Sequence, residues 1–441
     1  MTNKERTTCL VVGGGPAGMV LGLLMARAGV EVTVLEKHED FLRDFRGDTV
    51  HASTLTLLDE LGLGPRFEEI PHRLIERLTV QLDEGTATVA DLRRLPGRHK
   101  HIALVPQWDF LDLLADAAAE EPTFTLRRNA EVTGIVRDGG RIAGVHYTDR
   151  VTGEGHELRA GLTVACDGRG SAVRAAAGLR PRSFGVPMDV WWFRLPRRTD
   201  DPVGAVGRFS TGHLCIMIDR GDYWQCAYLI RKGSDAALRA AGIAELRRRF
   251  AALLPWMAER VGALTSFDQV RLLDVQLNRL RRWDVDGLVL IGDAAHAMSP
   301  VGGVGINLAV SDAVAAARIL APALRSGGIV PRSMLRRVQR RRLLPTALIQ
   351  GVQKLVHGAV LGPVLQNDDV GVQLPHTAAA GVLDTDMIPR APLNSLPLPL
   401  RLAQRFPVLQ GIPARLVAIG PLPEHAPSWA RRPAAGARAR H

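Results

Sequence analysis

The sequence predicts an α/β protein in three parts: a parallel-sheet domain, an inserted and mostly antiparallel β-sheet, and a helical C-terminal region. Three observations lead there. Residues 9–37 run strand, glycine cluster, helix, strand. Two later apolar runs, 162–166 and 288–291, each end at an aspartate beside a glycine. Between those runs, residues 188–230 alternate strand-like stretches, rich in aromatics, with short turns.

The first strand, 8–12 ("TCLVV"), is short, apolar and β-branched, as a strand buried on both faces of a parallel sheet must be. Gly13-Gly14-Gly15-Pro16-Ala17-Gly18 turns the chain, 17–28 suits a helix buried on most sides, and "VEVTVLEK" is a second strand reaching Glu36. Gly13-x-Gly15-x-x-Gly18 has the spacing a dinucleotide pyrophosphate requires. The first glycine permits the tight turn, the second lets backbone approach phosphate, and the third lets the helix pack on the strand. Amides at the helix start then face the phosphates, helped by roughly half a positive charge from the helix dipole. Glu36 stands where a carboxylate accepts the ribose hydroxyls of an adenosine, which favours NAD or FAD over NADP. The other reading of this stretch is a glycine-rich turn in an ordinary α/β core.

Bulk properties narrow the class. The 441 residues carry a net charge of +11, 46% hydrophobic and 23% charged residues, those of a globular protein with a large core. Cys9, Cys166, Cys215 and Cys226 have neither CxxC nor zinc-like spacing, so free thiols in a reducing cytoplasm are expected, with no metal. The positive charge is spread along the chain and into the tail "ARRPAAGARARH", without a nucleic-acid-binding signature, so no nucleic-acid partner is expected. "GGGPAG" interrupts the first apolar stretch, which is neither a signal peptide nor a spanning helix. No other stretch reads as long and apolar enough to span a bilayer, so membrane contact is expected to be peripheral at most.

The run 162–166 leads into Asp167-Gly168, with Ser171 and Arg174 following; the run 288–291 leads into Gly292-Asp293. Both aspartates therefore sit at carboxyl ends of strands, where open α/β sheets bind ligands. After Asp293, residues 300–305 form a glycine-rich loop and 307–320 a helix whose N-terminus is aimed at the same place. Asp293 also suits a helix N-cap, and Asp167 a simple turn.

Together the three motifs resemble the flavoprotein aromatic hydroxylases, the single-component class A monooxygenases like para-hydroxybenzoate hydroxylase. The resemblance covers most of 7–320, with separated motifs in the right order. It implies noncovalent FAD in a Rossmann-like domain. It gives Gly13, Gly15, Gly18 and Glu36 to the ADP half, and Asp167, Gly168 and Arg174 to FAD and the nicotinamide donor. It gives Gly292 and Asp293 to the ribityl-pyrophosphate part. Pro300, Gly303, Gly305, Ile306 and Asn307 form the loop and helix start that present amides to the pyrimidine edge of the flavin. Arg46 matches an arginine over the pyrophosphate, with 47–50 passing the ring, and Gln107 a cofactor contact just before a helix; each could otherwise be a surface or helix-terminal polar residue. His51, His101 and His296 form no metal or triad pattern and receive no catalytic role.

The inserted region, 188–230, predicts four strands with turns at 197–202, 210–212 and 220–222. It gathers Trp191, Trp192, Phe193, Phe209, Tyr223, Trp224 and Tyr228, so one sheet face is expected to form an apolar substrate pocket, with Trp192, Phe209, Met217 and Trp224 as candidates. Which face is which stays open. The cofactor domain is expected over 1–75, 98–182 and 270–320, and the substrate domain over 76–97 and 183–269. A helical or irregular region follows over 321–425, then a basic disordered tail over 426–441. From Ser333 onward one or two helices open basic and continue apolar, which fits peripheral membrane contact, a closing helix or a dimer interface; monomer and homodimer both remain open. "IPRAPLNSLPLPLRL" reads as irregular chain.

The resemblance implies that NADH or NADPH reduces FAD, that O2 adds to give a C4a-hydroperoxide, and that oxygen passes to an aromatic or polyketide-like substrate. Rivals are an isoprenoid reductase, an oxidative cyclase, and a halogenase, the last weakened because "WWFRLP" departs from the Trp-x-Trp-x-Ile-Pro pattern and Arg73 and Arg77 stand where a lysine is needed. A non-enzyme alternative is an FAD- or nucleic-acid-binding protein without turnover.

Overall fold

The computed structural model describes residues 4–42, 49–210, 212–366, 390–393, 396 and 398–433. The chain opens with β1 (Lys4–Val12), α1 (Pro16–Arg27) and β2 (Val32–Leu35). β1 and β2 pair in parallel from Cys9↔Val32 to Val12↔Leu35. Both strands thus end level, and the Gly13 N–H donates to the Leu35 carbonyl at 2.8 Å. α1 is buried from Ala17 to Ala26, as its nearly continuous apolar sequence requires.

Along the chain follow α2 (Ala52–Glu60), β3 (Arg77–Leu82), β4 (Gly85–Asp91), α3 (Gln107–Ala119) and β5 (Phe124–Arg127). Next come β6 (Ala130–Asp138), β7 (Arg141–Asp149) and β8 (Gly155–Ala165). The aromatic-rich region gives β9 (Met188–Pro196), β10 (Ala205–Ser210), β11 (His213–Asp219) and β12 (Tyr223–Arg231), the four strands its pattern predicts. Then come α4 (Ile243–Leu253), β13 (Arg271–Leu273), β14 (Asp284–Val285) and β15 (Leu288–Leu290). Helices α5 (Gly305–Arg325), α6 (Arg332–Val356), α7 (Leu398–Arg405) and α8 (Gly411–Ala418) follow.

Two large sheets sort these strands. The first has the order β14-β15-β8-β1-β2-β5, with β15 through β5 parallel and β7 and β6 added antiparallel at the outer half of β8. One face packs on α1, α3 and α5, and the other on Val145, Tyr147 and Trp283. The second sheet runs β13-β9-β12-β11-β10-β3-β4 and is antiparallel except where β10 meets β3. Short turns join β10 to β11 and β11 to β12, so these sequence neighbours pair in space, whereas β9 pairs with β12. The architecture is therefore the α/β fold with an inserted antiparallel sheet.

Three expectations are corrected. Residues 301–325 do pass the length and hydropathy test for a spanning helix, with mean hydropathy 1.5, but 72% of that window is buried against the first sheet and its neighbouring helices. The expected disordered tail is docked over its first part: Ala426 and Ala430 are buried, Trp429 packs on the core, and Arg27 donates to the Ala430 carbonyl at 3.0 Å; residues 434–441 lie outside the described residues. The proline-rich stretch, read as irregular, ends in the helix α7, because Pro399 falls in the first turn where its missing N–H costs no bond.

Candidate active site

The glycine turn sits between the carboxyl ends of β1, β2 and β8. The Cys166 N–H donates to Val12 O at 2.7 Å, which brings the Asp167 turn against the Gly13 turn. Gly18 is required by close approach: a Cβ there would fall on the Gly13 carbonyl. Around Gly15 the reverse holds. A Cβ built there meets nothing within 4 Å, so the backbone at the start of α1 lines an open cradle. The first-turn amides of α1 have no intrahelical acceptor and face that space. Glu36 is buried, and its carboxylate accepts from the Gly14 N–H at 2.8 Å and the His38 N–H at 3.1 Å. Those bonds fix the carboxylate beside the cradle, and a carboxylate has lone pairs enough to accept ribose hydroxyls as well.

The two aspartates of the other motifs differ in what they do. Asp167 accepts from Ser171 Oγ at 2.5 Å and from the Val173 N–H at 3.1 Å, so its carboxylate holds its own turn, the simpler of the two readings open for it. Burial holds that carboxyl above the ordinary range in spite of those bonds. Asp293 is about one-third exposed and pairs with Arg169 at 3.1 Å. Arg174 donates to the Ala294 carbonyl at 3.0 Å, so residues after Asp167 are tied to the Gly292-Asp293 turn twice. A Cβ at Gly292 would lie 3.3 Å from Ala17 Cβ, which puts this turn on the first turn of α1. The Gly292 N–H donates to Asp312 of α5 at 3.1 Å. Gly13, Gly15, Gly18, Gly168, Gly292 and Asp293 are thus brought to one place.

The loop 299–305 continues from there. Gly303 has φ +65°, and a Cβ would stand 2.6 Å from Thr49 Oγ1, which donates to the Gly303 carbonyl at 3.0 Å. His51, fully buried, bonds the Val417 carbonyl through Nδ1 at 2.8 Å. Burial pushes this ring down to about 4, so it is neutral and Nδ1 is the donor. Gly305, Ile306 and Asn307 form the first turn of α5, whose amides have no intrahelical acceptor. The Asn307 side-chain oxygen accepts from Ser53 at 3.0 Å and from Thr54, which fixes α5 on α2 and leaves its backbone N–H for a ligand. Pro300 precedes this turn and accepts from the Gly303 N–H at 3.0 Å. Gln107 is the first residue of α3 and half-buried. Arg46 and Gly47 lie outside the described residues.

The second sheet resolves which face is which, and corrects half of the pocket expectation. Trp192 and Phe209 lie on the face with Leu214, Ala227, Leu229 and Val301, the last belonging to the glycine loop. Met217 and Trp224 point to the opposite face, where they pack with Phe193, Phe250 and Met257 beneath α4. Strand alternation separates them: Trp192 is paired with Ala227 and Met217 with the adjacent Cys226, and successive residues of β12 point to opposite faces. Trp224 is moreover held by Asp201, which accepts its Nε1–H at 2.9 Å.

Several supporting residues carry no motif. Asp312 is fully buried, accepting from His296 at 2.6 Å and from Arg342 at 2.9 Å. Burial alone would raise its carboxyl, but His296 and Arg342 outweigh that and hold it below the usual range. Arg342 is itself buried and reaches Glu424 at 3.6 Å. Gln350 and Gln353 of α6 bond the backbone of 297–301. The available signal was a polar stripe at helical spacing in α6, which ordinarily marks a solvent face.

Comparison with known proteins accords with this geometry. A family model described as an FAD binding domain matches residues 6–350. The 6-methylpretetramide 4-monooxygenase of Streptomyces rimosus is 37% identical over 76% of this chain and 80% of its own length. A probable FAD-dependent monooxygenase of Pseudomonas aeruginosa has the same fold, with TM-score 0.68 at 21% identity over 83% of this chain and 97% of that one. The anhydrotetracycline hydroxylase of Streptomyces rimosus superposes with TM-score 0.66 at 22% identity, covering 94% of this chain and 76% of that one. With the family model spanning most of the chain, and the glycine cradle, Glu36 and the Gly292-Asp293 turn converging as that family's chemistry requires, the chain belongs to the FAD-dependent aromatic hydroxylases.

Proposed function

We propose that the protein takes electrons from NADH or NADPH, uses O2, and hydroxylates an aromatic small molecule of polyketide type, working in a reducing cytoplasm. One observation carries this reading. Turns far apart in sequence, at 13–18, 167–174, 292–293 and 300–307, meet along the carboxyl ends of parallel strands, and the wall facing them is apolar. The relative that is a monooxygenase of 6-methylpretetramide supports the substrate class. Four free cysteines support the compartment. The pairing of β3 and β4 with β9 to β12 supports a division of labour, with 76–97 and 183–269 facing substrate and 1–75, 98–182 and 270–320 holding cofactor, save that β13 at 271–273 joins the second sheet.

When bound, FAD supplies electron uptake from the nicotinamide and activation of dioxygen for oxygen transfer. The chain's residues do the rest. α1 amides and Glu36 would hold the ADP half and Asp293 the central part, and the amides opening α5 would stabilise negative charge at the pyrimidine edge by about 0.3–2 kcal/mol. Trp192, Phe209 and Leu214 make the facing wall apolar, which excludes water from the reacting centre. Purified full-length protein should carry noncovalent FAD and consume NAD(P)H only when given an aromatic acceptor. Under 18O2 the product should contain one labelled oxygen; unlabelled product formed at a normal rate rejects hydroxylation.

A further inference from the structure

The second half of helix α6 buries a polar stripe beside its few buried apolar residues. Its buried positions include Arg342, Thr346, Gln350, Gln353 and His357 just beyond its end, at spacings of four, four, three and four, while Leu344, Leu348, Val352 and Leu355 are exposed. A polar stripe goes inside only where buried polar partners await it. Here the partners are the backbone leading into the glycine loop. The Gln353 side-chain NH2 donates to Ser299 O at 2.9 Å and to Val301 O at 2.9 Å, and its oxygen accepts from the Ser299 N–H at 3.2 Å. His357 bonds Ser299 Oγ at 2.9 Å, and Ser299 Oγ in turn accepts from the Val301 N–H at 3.3 Å. One turn earlier, Gln350 donates to Asn278 O at 2.8 Å and Ala297 O at 3.3 Å. On the far side of the loop Thr49 holds the Gly303 carbonyl.

We propose that Gln353 is a positioning residue for the flavin: its carboxamide fixes 299–301 and thereby the placement of the amides from Val304 to Asn307 at the pyrimidine edge. This rests on the FAD reading above. Two of the three groups Gln353 meets are carbonyls and one is an N–H, so only a side chain that donates twice and accepts once satisfies all three. Glutamate has the same shape, accepts only, and brings a charge into a buried site. With the loop misplaced, the amides would stabilise the more negative, reduced flavin less, and the reduction potential would fall.

The test uses full-length protein reconstituted with FAD, as wild type, Gln353→Ala, Gln353→Glu and, on the exposed side of the same helix, Leu355→Gln, where the side chain is 70% exposed. Three readouts are taken: FAD dissociation constant, flavin midpoint potential, and amide hydrogen exchange of 299–303 in the FAD-free protein. Both Gln353 variants should bind FAD about tenfold more weakly, show a lowered potential, and exchange faster in that loop; Leu355→Gln should match wild type. Gln353 variants with unchanged potential and affinity overturn the proposal, even if exchange rises, because the residue is then structural only. If Gln353→Ala does not fold, Gln353→Glu decides by the same criteria. Wild type that takes up no FAD would instead sink the functional reading itself, a result distinct from a wild type that binds and variants that follow it.

Discussion

The glycine cradle at 13–18 and the glycine loop at 299–305 serve neighbouring parts of one proposed ligand, but they are held in opposite ways. The cradle is local: β1, α1, β2 and Glu36 lie within the first forty residues, and the Gly13 and Gly14 amides find their partners at Leu35 and Glu36. The glycine loop is held by Thr49, by Asp312 through Gly292, and by Gln350, Gln353 and His357, which come from three separate stretches of chain. A self-contained βαβ unit fixes its own binding geometry, whereas a loop without regular structure borrows rigidity from distant elements. The first should therefore fail by losing ligand contacts, and the second by losing its supports.

The largest effect is expected at a support. Asp312→Ala takes from buried Arg342 the nearer of its two carboxylate partners, takes from His296 its acceptor and frees the Gly292 amide, and should cost about 3–5 kcal/mol of stability, measured by urea unfolding. Unchanged stability would mean the glycine loop is no more borrowed than the cradle. In the cradle, Glu36→Ala leaves the buried Gly14 amide without its acceptor and should cost less stability than Asp312→Ala, about 1–3 kcal/mol, while weakening FAD binding by about 1.5–3 kcal/mol, read by fluorescence titration of the apoprotein. Equal FAD affinity in that variant removes Glu36 from the site.

A pH effect sharpens the contrast. His51 is held near 4 by burial, below the ordinary histidine range of about 6.5, so the folded protein binds fewer protons there than the unfolded chain. Its contribution is fully present above about pH 6.5 and is lost as pH falls toward 4. His51→Asn should flatten that part of the stability–pH curve, and an unchanged slope would remove His51 as its source. The smallest effect is expected for Arg169→Ala. The Arg169–Asp293 pair is partly exposed and should contribute roughly 0.2–1 kcal/mol, seen as a slight salt-dependent loss of FAD affinity.

This division also explains what was legible in the sequence. Gly13-x-Gly15-x-x-Gly18 with Glu36 was readable because its partners are near in sequence and its spacing is imposed by a ligand of fixed size, and the two aspartates because each follows an apolar strand and adjoins a glycine. The four strands of 188–230 were readable because short turns separate them. Which face Trp192 and Met217 occupy was not, since alternation gives two faces and only packing against α4 or Val301 tells them apart. The polar stripe of α6 was read as part of a basic-then-apolar helix because periodicity reports amphipathicity and not which side is inside. Asp167 showed the remaining ambiguity: a turn-former and a ligand look alike in sequence, and the bonds to Ser171 and Val173 favour the turn.

The most direct measurement is a crystal structure of the full-length protein reconstituted with FAD. It should show the pyrophosphate on the amides of Gly15, Ala17 and Gly18 beside Asp293, the adenosine ribose on Glu36, and the isoalloxazine pyrimidine edge on the amides of 304–307. FAD bound elsewhere, or lying with its ring away from that helix start, would contradict the account.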